Sequence, residues 1–154
     1  MSSPKSSLPS QDTTVVASKA FDPAPHPRLS RLWWALGWAL VLFITYSTLA
    51  PEQYVPNLHL WDKLEHASAF FGMTFWFAGL VRRRRYPVLG LWMLLFGGAI
   101  EIAQGVMGLG RDMDIHDWYA DAIGIGIALL LAYAGLGAWL LYAERFLGLA
   151  RKSH

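Results

Sequence analysis

The chain has 154 residues, of which 55% are apolar and 16% charged, and its mean hydropathy is +0.32. It contains no cysteine, which excludes disulfides, thiolate zinc sites and a thiol nucleophile. The net charge of +2 says little until the placement of the charges is known.

Residues 1–31 are rich in Ser, Pro and Thr, with prolines at 4, 9, 23, 25 and 27 and almost no aliphatic clustering. Such a stretch buries too little surface to offset its ordering entropy, so it is expected to be a disordered tail. Four apolar runs follow, at 32–50, from Leu64 to the four arginines at 82–85, at 88–107, and at 118–142. Each is close to the ~20 residues that a helix needs to cross a ~30 Å hydrocarbon core. The first run begins too late and is too long for a cleaved signal peptide, so an uncleaved anchor is expected. With short connections, the expected fold is all-α: an antiparallel bundle of four transmembrane helices spanning 32–142. Residues 143–154 are expected to form a C-terminal tail.

Eleven of the 13 basic residues fall on one side of this arrangement: Lys5, Lys19, Arg28, Arg31, the arginines at 82–85, Arg145, Arg151 and Lys152. Only Lys63 and Arg111 fall on the other. The positive-inside rule therefore predicts both termini in the cytoplasm. The arginine run reads as a topology signal in contact with anionic lipid, and no nucleic-acid partner is expected. Aromatic residues near the run ends, among them Trp33, Tyr86 and Trp118, suit interfacial belts.

The acids collect on the opposite side. Glu52, Asp62, Glu65, Glu101, Asp112, Asp114, Asp117 and Asp121 are eight of the eleven in the chain. Glu101 and Gln104 lie one turn apart on one face of the third run, and Asp114, Asp117 and Asp121 form one stripe at i, i+3, i+7. Asp114 or Asp117 could cap the fourth helix, and Asp62 the second. Glu101, His66 and Asp121 are harder to dismiss, because ionisable groups below the interface cost ~2.5–3.5 kcal/mol each. Pairs such as Glu101–Arg111 or His66–Asp121 could equally lock helix packing. Two small-residue stripes, Ala120/Gly124/Ala128/Ala132 and Ser68/Gly72, allow close helix approach.

Three stretches carry a resemblance. "DKLEH" (62–66), "EIAQ" (101–104) and "GRDMDIHDWYADAIG" (110–124) resemble, in order and spacing, the pattern of VanZ-like membrane proteins. That pattern is D-K-x-x-H, then E-x-x-Q, then R-x-x-D-x-x-D-x-x-x-N-x-x-G. Asp121 departs from it by standing where the pattern has Asn. The resemblance implies a bacterial inner membrane, a role at the cell envelope and a family linked to low-level resistance to the glycopeptide teicoplanin.

The candidate site is therefore Asp62, Lys63, His66, Glu101, Gln104, Arg111, Asp114, Asp117 and Asp121. One reading is a polar site that binds or processes a lipid-linked envelope precursor, with His66 or Glu101 moving a proton and Lys63 and Arg111 holding an anionic headgroup. The other is a non-enzymatic scaffold or partner-binding bundle, oligomeric or not, whose polar cluster only locks its helices. A transporter is disfavoured, since 154 residues leave no room for two inverted repeats. Asp114, Asp117, Glu101 and His66 are acceptable ligand types for a divalent ion, but their spacing matches no established motif; no metal and no other cofactor is expected. No residue pattern supports a particular reaction class.

Overall fold

The computed structural model describes residues 27–49, 59–107 and 113–149, with side chains described from residue 63 onward in the second stretch. It contains five α-helices and no strand among these residues: α1 (Ser30–Leu49), α2 (His59–Ala78), α3 (Tyr86–Met107), α4 (Ile115–Tyr133) and α5 (Trp139–Phe146). Three segments are long and apolar enough to cross a membrane: Ser30–Leu49, Arg83–Met107 and Ile115–Tyr133. The first turns of α2 hold Asp62, Lys63 and Glu65, and α2 is not one of the three.

Successive helices run in opposite directions. Gly37 of α1 meets Trp76 and Phe77 of α2, whereas Thr48 reaches Gln104 at the far end of α3. Gly90, Gly97 and Gly105 of α3 approach Leu129, Asp121 and Met113 in reverse order. The core between the helices is built from Ile44, Phe70, Met73, Phe77, Met93, Ile100 and Ile125. The buried face of α2 repeats at 66, 70, 73 and 77, and that of α4 at 117, 121, 124, 128 and 132. Both sets follow the 3.6-residue period, so polar and apolar residues of one helix share a single inward stripe. The outward faces stay apolar: Leu42, Trp92, Ile102 and Leu130 are each at least 60% exposed. In water such surface is a liability, while lipid satisfies it.

Several boundaries differ from the sequence reading. Residues 1–26 of the expected tail lie outside the described residues, and helix α1 already begins at Ser30. Helix α2 starts at His59, well before Leu64, because charged residues end a hydrocarbon span without ending a helix. The fourth run is not one helix to 142. It stops at Tyr133, where Gly135 takes a φ of 111° that glycine alone tolerates freely, and a 3₁₀ turn at Leu136–Ala138 leads into α5. Residues 143–149, expected to be tail, belong to α5 and its terminal turn.

Helix α5 folds back over the start of α1. Its Leu140 is fully buried, and Trp139 packs against Trp33 and Trp76 at centroid distances of 6.0 and 5.1 Å. Glu144 accepts hydrogen bonds from the backbone N–H groups of Arg28 (2.6 Å) and Leu29 (2.8 Å) and from the Trp33 indole (2.9 Å). A carboxylate thus satisfies the free donors of a helix N-terminus from far away in sequence. Nothing in the local pattern announces it.

The aromatic residues also differ from a simple belt. Tyr86 is buried, donates to the Ala78 carbonyl oxygen at 3.3 Å and packs on Tyr133. The Trp118 indole donates to the Leu94 carbonyl oxygen at 2.9 Å. Arg83, in the arginine run, stacks over the Tyr133 ring at 5.1 Å.

Candidate functional site

Helices α2, α3 and α4 bring polar side chains to one end of the bundle. The approach of α2 to α4 is set by Gly124, where any Cβ would run into the Ala67 carbonyl oxygen. One turn before it on the same stripe, Asp121 faces His66, with His66 Nδ1 3.1 Å from Asp121 Oδ1. Both are completely enclosed, at 1% and 0% exposed. Glu101 of α3 closes the third side, with Oε1 3.9 Å from the same His66 nitrogen. Its other oxygen accepts the Asp114 backbone N–H at 3.0 Å. That bond fastens α3 to the start of α4.

The rim of the cluster is charged. Lys63 reaches Asp117 Oδ1 at 2.9 Å and Asp114 Oδ2 at 3.0 Å. Asp114 caps α4, where its side chain accepts the His116 backbone N–H at 2.8 Å and meets His116 Nδ1 at 2.7 Å. The His116 backbone N–H and the Lys63 ammonium hold the Asp114 carboxyl well below the usual carboxylate range. Asp117 stands one turn deeper, is buried, and links the rim to the interior.

The expected site residues thus sort into three sets. Lys63, His66, Glu101, Asp114, Asp117 and Asp121 are joined through direct contacts. Gln104 is buried on the same face of α3 as Glu101, yet it donates to the Thr48 carbonyl oxygen of α1 at 2.9 Å and stands apart from the cluster. Arg111 and the side chain of Asp62 lie outside the described residues, as does the Glu101–Arg111 pair considered above.

Of the two small-residue stripes, Ala120/Gly124/Ala128/Ala132 is buried. Ser68 is exposed and a Cβ on Gly72 would meet nothing within 4 Å, so that stripe sets no close helix approach among the described residues.

The interior is short of partners. Among the described residues, four side-chain atoms are buried without a hydrogen bond: Thr74 Oγ1 and, in the cluster, His66 Nε2, Glu101 Oε1 and Asp121 Oδ2. Enclosed polar atoms of this kind cost roughly 1–3 kcal/mol each, and more when charged, so a fold that retains three of them in one cluster is not minimising its energy locally. Beside the cluster, an open groove of about 400 Å³ runs between α2 and α4, lined by Lys63, Leu64, Ala67, His116, Tyr119, Ala120 and Ile123. Lys63 and His116 are the ionisable residues in an otherwise largely apolar wall.

No family profile, curated protein or solved structure matches this chain. The functional argument therefore rests on the site itself.

Proposed function

We propose that the chain is a VanZ-like four-span protein of a bacterial inner membrane, with both termini cytoplasmic, and that its polar cluster holds the headgroup of a lipid-linked envelope component at the outer leaflet. The observation that carries this reading is the convergence of the three resembling stretches. Residues 62–66, 101–104 and 110–124 are far apart in sequence, yet His66, Glu101, Asp117 and Asp121 meet behind Lys63. The adjoining groove supports it further, because an apolar channel ending at an ammonium suits an amphiphile with a long hydrocarbon chain and an anionic head. Lys63 has a third N–H beyond the two given to Asp114 and Asp117, and its side chain is 43% exposed.

The test is retention of a polyprenyl diphosphate by the detergent-solubilised protein in native mass spectrometry, with phosphatidylcholine as the comparator. Ile123 is 60% exposed, so Ile123→Trp fills the groove without touching the core. This variant and Lys63→Gln are each expected to reduce diphosphate retention by about tenfold, which corresponds to ~1.4 kcal/mol. Equal retention of both lipids, or indifference to both substitutions, removes the lipid reading and leaves a bundle whose polar residues serve packing.

A further inference from the structure

The cluster's charges do not balance. Among the described residues, the carboxylates of Glu101, Asp114, Asp117 and Asp121 face one ammonium, Lys63, and two imidazoles, His66 and the exposed His116. An anionic headgroup entering such a place meets net repulsion unless further positive charge is present. The interior also has the geometry to supply it. One ligating atom from each of His66, Glu101 and Asp117 lies within 4.8 Å of the other two, and all three residues are buried. Divalent ions hold oxygen and nitrogen ligands at roughly 2.0–2.6 Å, so two ligands across one ion stand about 4–5 Å apart.

Two further observations point to a ligand. Glu101 Oε1 stands 3.9 Å from His66 Nδ1, the nitrogen that also faces Asp121, with no hydrogen bond, although its residue is only 4% exposed. His66 has one nitrogen against the Asp121 carboxylate and the other buried and unpartnered. The Asp121 carboxylate, 3.1 Å from Nδ1, holds the ring in place beside Glu101.

We propose that His66, Glu101 and Asp117 bind one divalent cation of the manganese or zinc class, with Asp121 as the positioning residue for His66. One imidazole with two carboxylates and no thiolate suits a borderline first-row ion better than a soft one. The inference deepens the lipid-headgroup reading and rests on the same cluster: the ion gives an anionic head the positive charge that the acids withhold. Lys63 keeps Asp114 and the outer oxygen of Asp117 in place at the rim.

The experiment uses the full chain, purified in detergent without a histidine tag, stripped with EDTA and titrated with MnCl₂ or ZnCl₂. Free Mn²⁺ is read by electron paramagnetic resonance, and thermal unfolding is followed in parallel. Saturation at one ion per chain is expected, with a rise in melting temperature on loading. Glu101→Gln and Asp117→Asn should each weaken binding by roughly 100-fold or more. Exposed Glu65, one residue from His66 but outside the cluster, serves as the control, and Glu65→Gln should leave binding unchanged. Absence of saturable binding in the wild-type chain overturns the site whether or not the variants fold. Unaltered binding in both folded variants overturns it as well. Metal binding without diphosphate retention leaves this site standing and removes the lipid reading; retention without metal binding does the reverse.

Discussion

Gly124 and Gly126 stand two residues apart on α4, and alanine has opposite consequences at each. A Cβ on Gly124 meets the backbone of Ala67 and Phe71, atoms that cannot yield without moving α2. Gly124→Ala is expected to destabilise by about 1–3 kcal/mol or more. Gly126 has open space around it, so Gly126→Ala removes chain freedom from the unfolded state at no steric cost and should stabilise by roughly 0.5–1 kcal/mol. Melting temperatures of the two variants in one detergent, falling for the first and rising for the second, check both. Asp121→Asn makes a third case. Asp121 Oδ2 is buried without a partner and lies 2.6 Å from where a Cβ on Gly97 would stand. Asparagine keeps the shape and the contact to His66 while removing a buried charge with one unpartnered oxygen, so stability should hold or rise. A loss of several kcal/mol in Asp121→Asn, measured by the same unfolding assay, would show that the charge pairing with His66 is a structural requirement.

At the scale of elements, the most consequential contact joins α5 to α1. Burial pushes the Glu144 carboxyl up, but the N–H groups of Leu29, Trp33 and Arg28 outweigh it and hold the group below its ordinary value. A depressed folded-state value means that the unfolded chain binds the proton more readily. The stabilisation is therefore full above the ordinary value of about 4.5 and declines as pH falls through the lower, folded value. Glu144→Gln should remove roughly 1.5–3 kcal/mol at neutral pH and flatten this part of the acid limb. Amide exchange at Arg28 and Leu29, faster in the variant than in the wild type, localises the effect. This element was not legible in advance. Glu144 sits in a short segment whose residues look like a polar tail, and only the reversal at Gly135 brings it to a helix start more than 110 residues earlier. The start of α4 was more readable, because Asp114 stands at a capping position and its side chain does cap.

For the whole molecule, the asymmetry of basic residues makes a topological claim that labelling can check. Cysteines introduced at Gln53 and Leu109 should react with an impermeant thiol reagent added to intact cells, and one at exposed Arg84 should react only after lysis. Labelling of Arg84→Cys in intact cells reverses the orientation and moves the acidic cluster to the cytoplasmic side. The helical class and the location of the apolar runs were legible, since hydrocarbon thickness sets helix length directly. The first and third runs match α1 and α3 within a few residues. Residues of the site could be named from spacing, because Glu101 and Asp121 are anomalous in apolar surroundings whatever they contact. The His66–Asp121 pair could be named too, but not the bond from the Asp114 backbone to Glu101. That Gln104 turns to α1 while Glu101 turns to α4 depends on how three helices are rotated, and a one-dimensional period carries no such rotation.

The bond between α1 and α5 also orders events in time. During synthesis α1 emerges and enters the membrane with the N–H groups of Arg28 and Leu29 lacking their eventual acceptor. Glu144 leaves the ribosome only after three further helices have been made. Insertion and fastening are thus separate stages: the first segment is placed early and clamped late. A ribosome stalled before residue 144 would hold a chain that is inserted but unlatched. Quality-control proteases that sample the N-terminal end of α1 would have their opening in that interval.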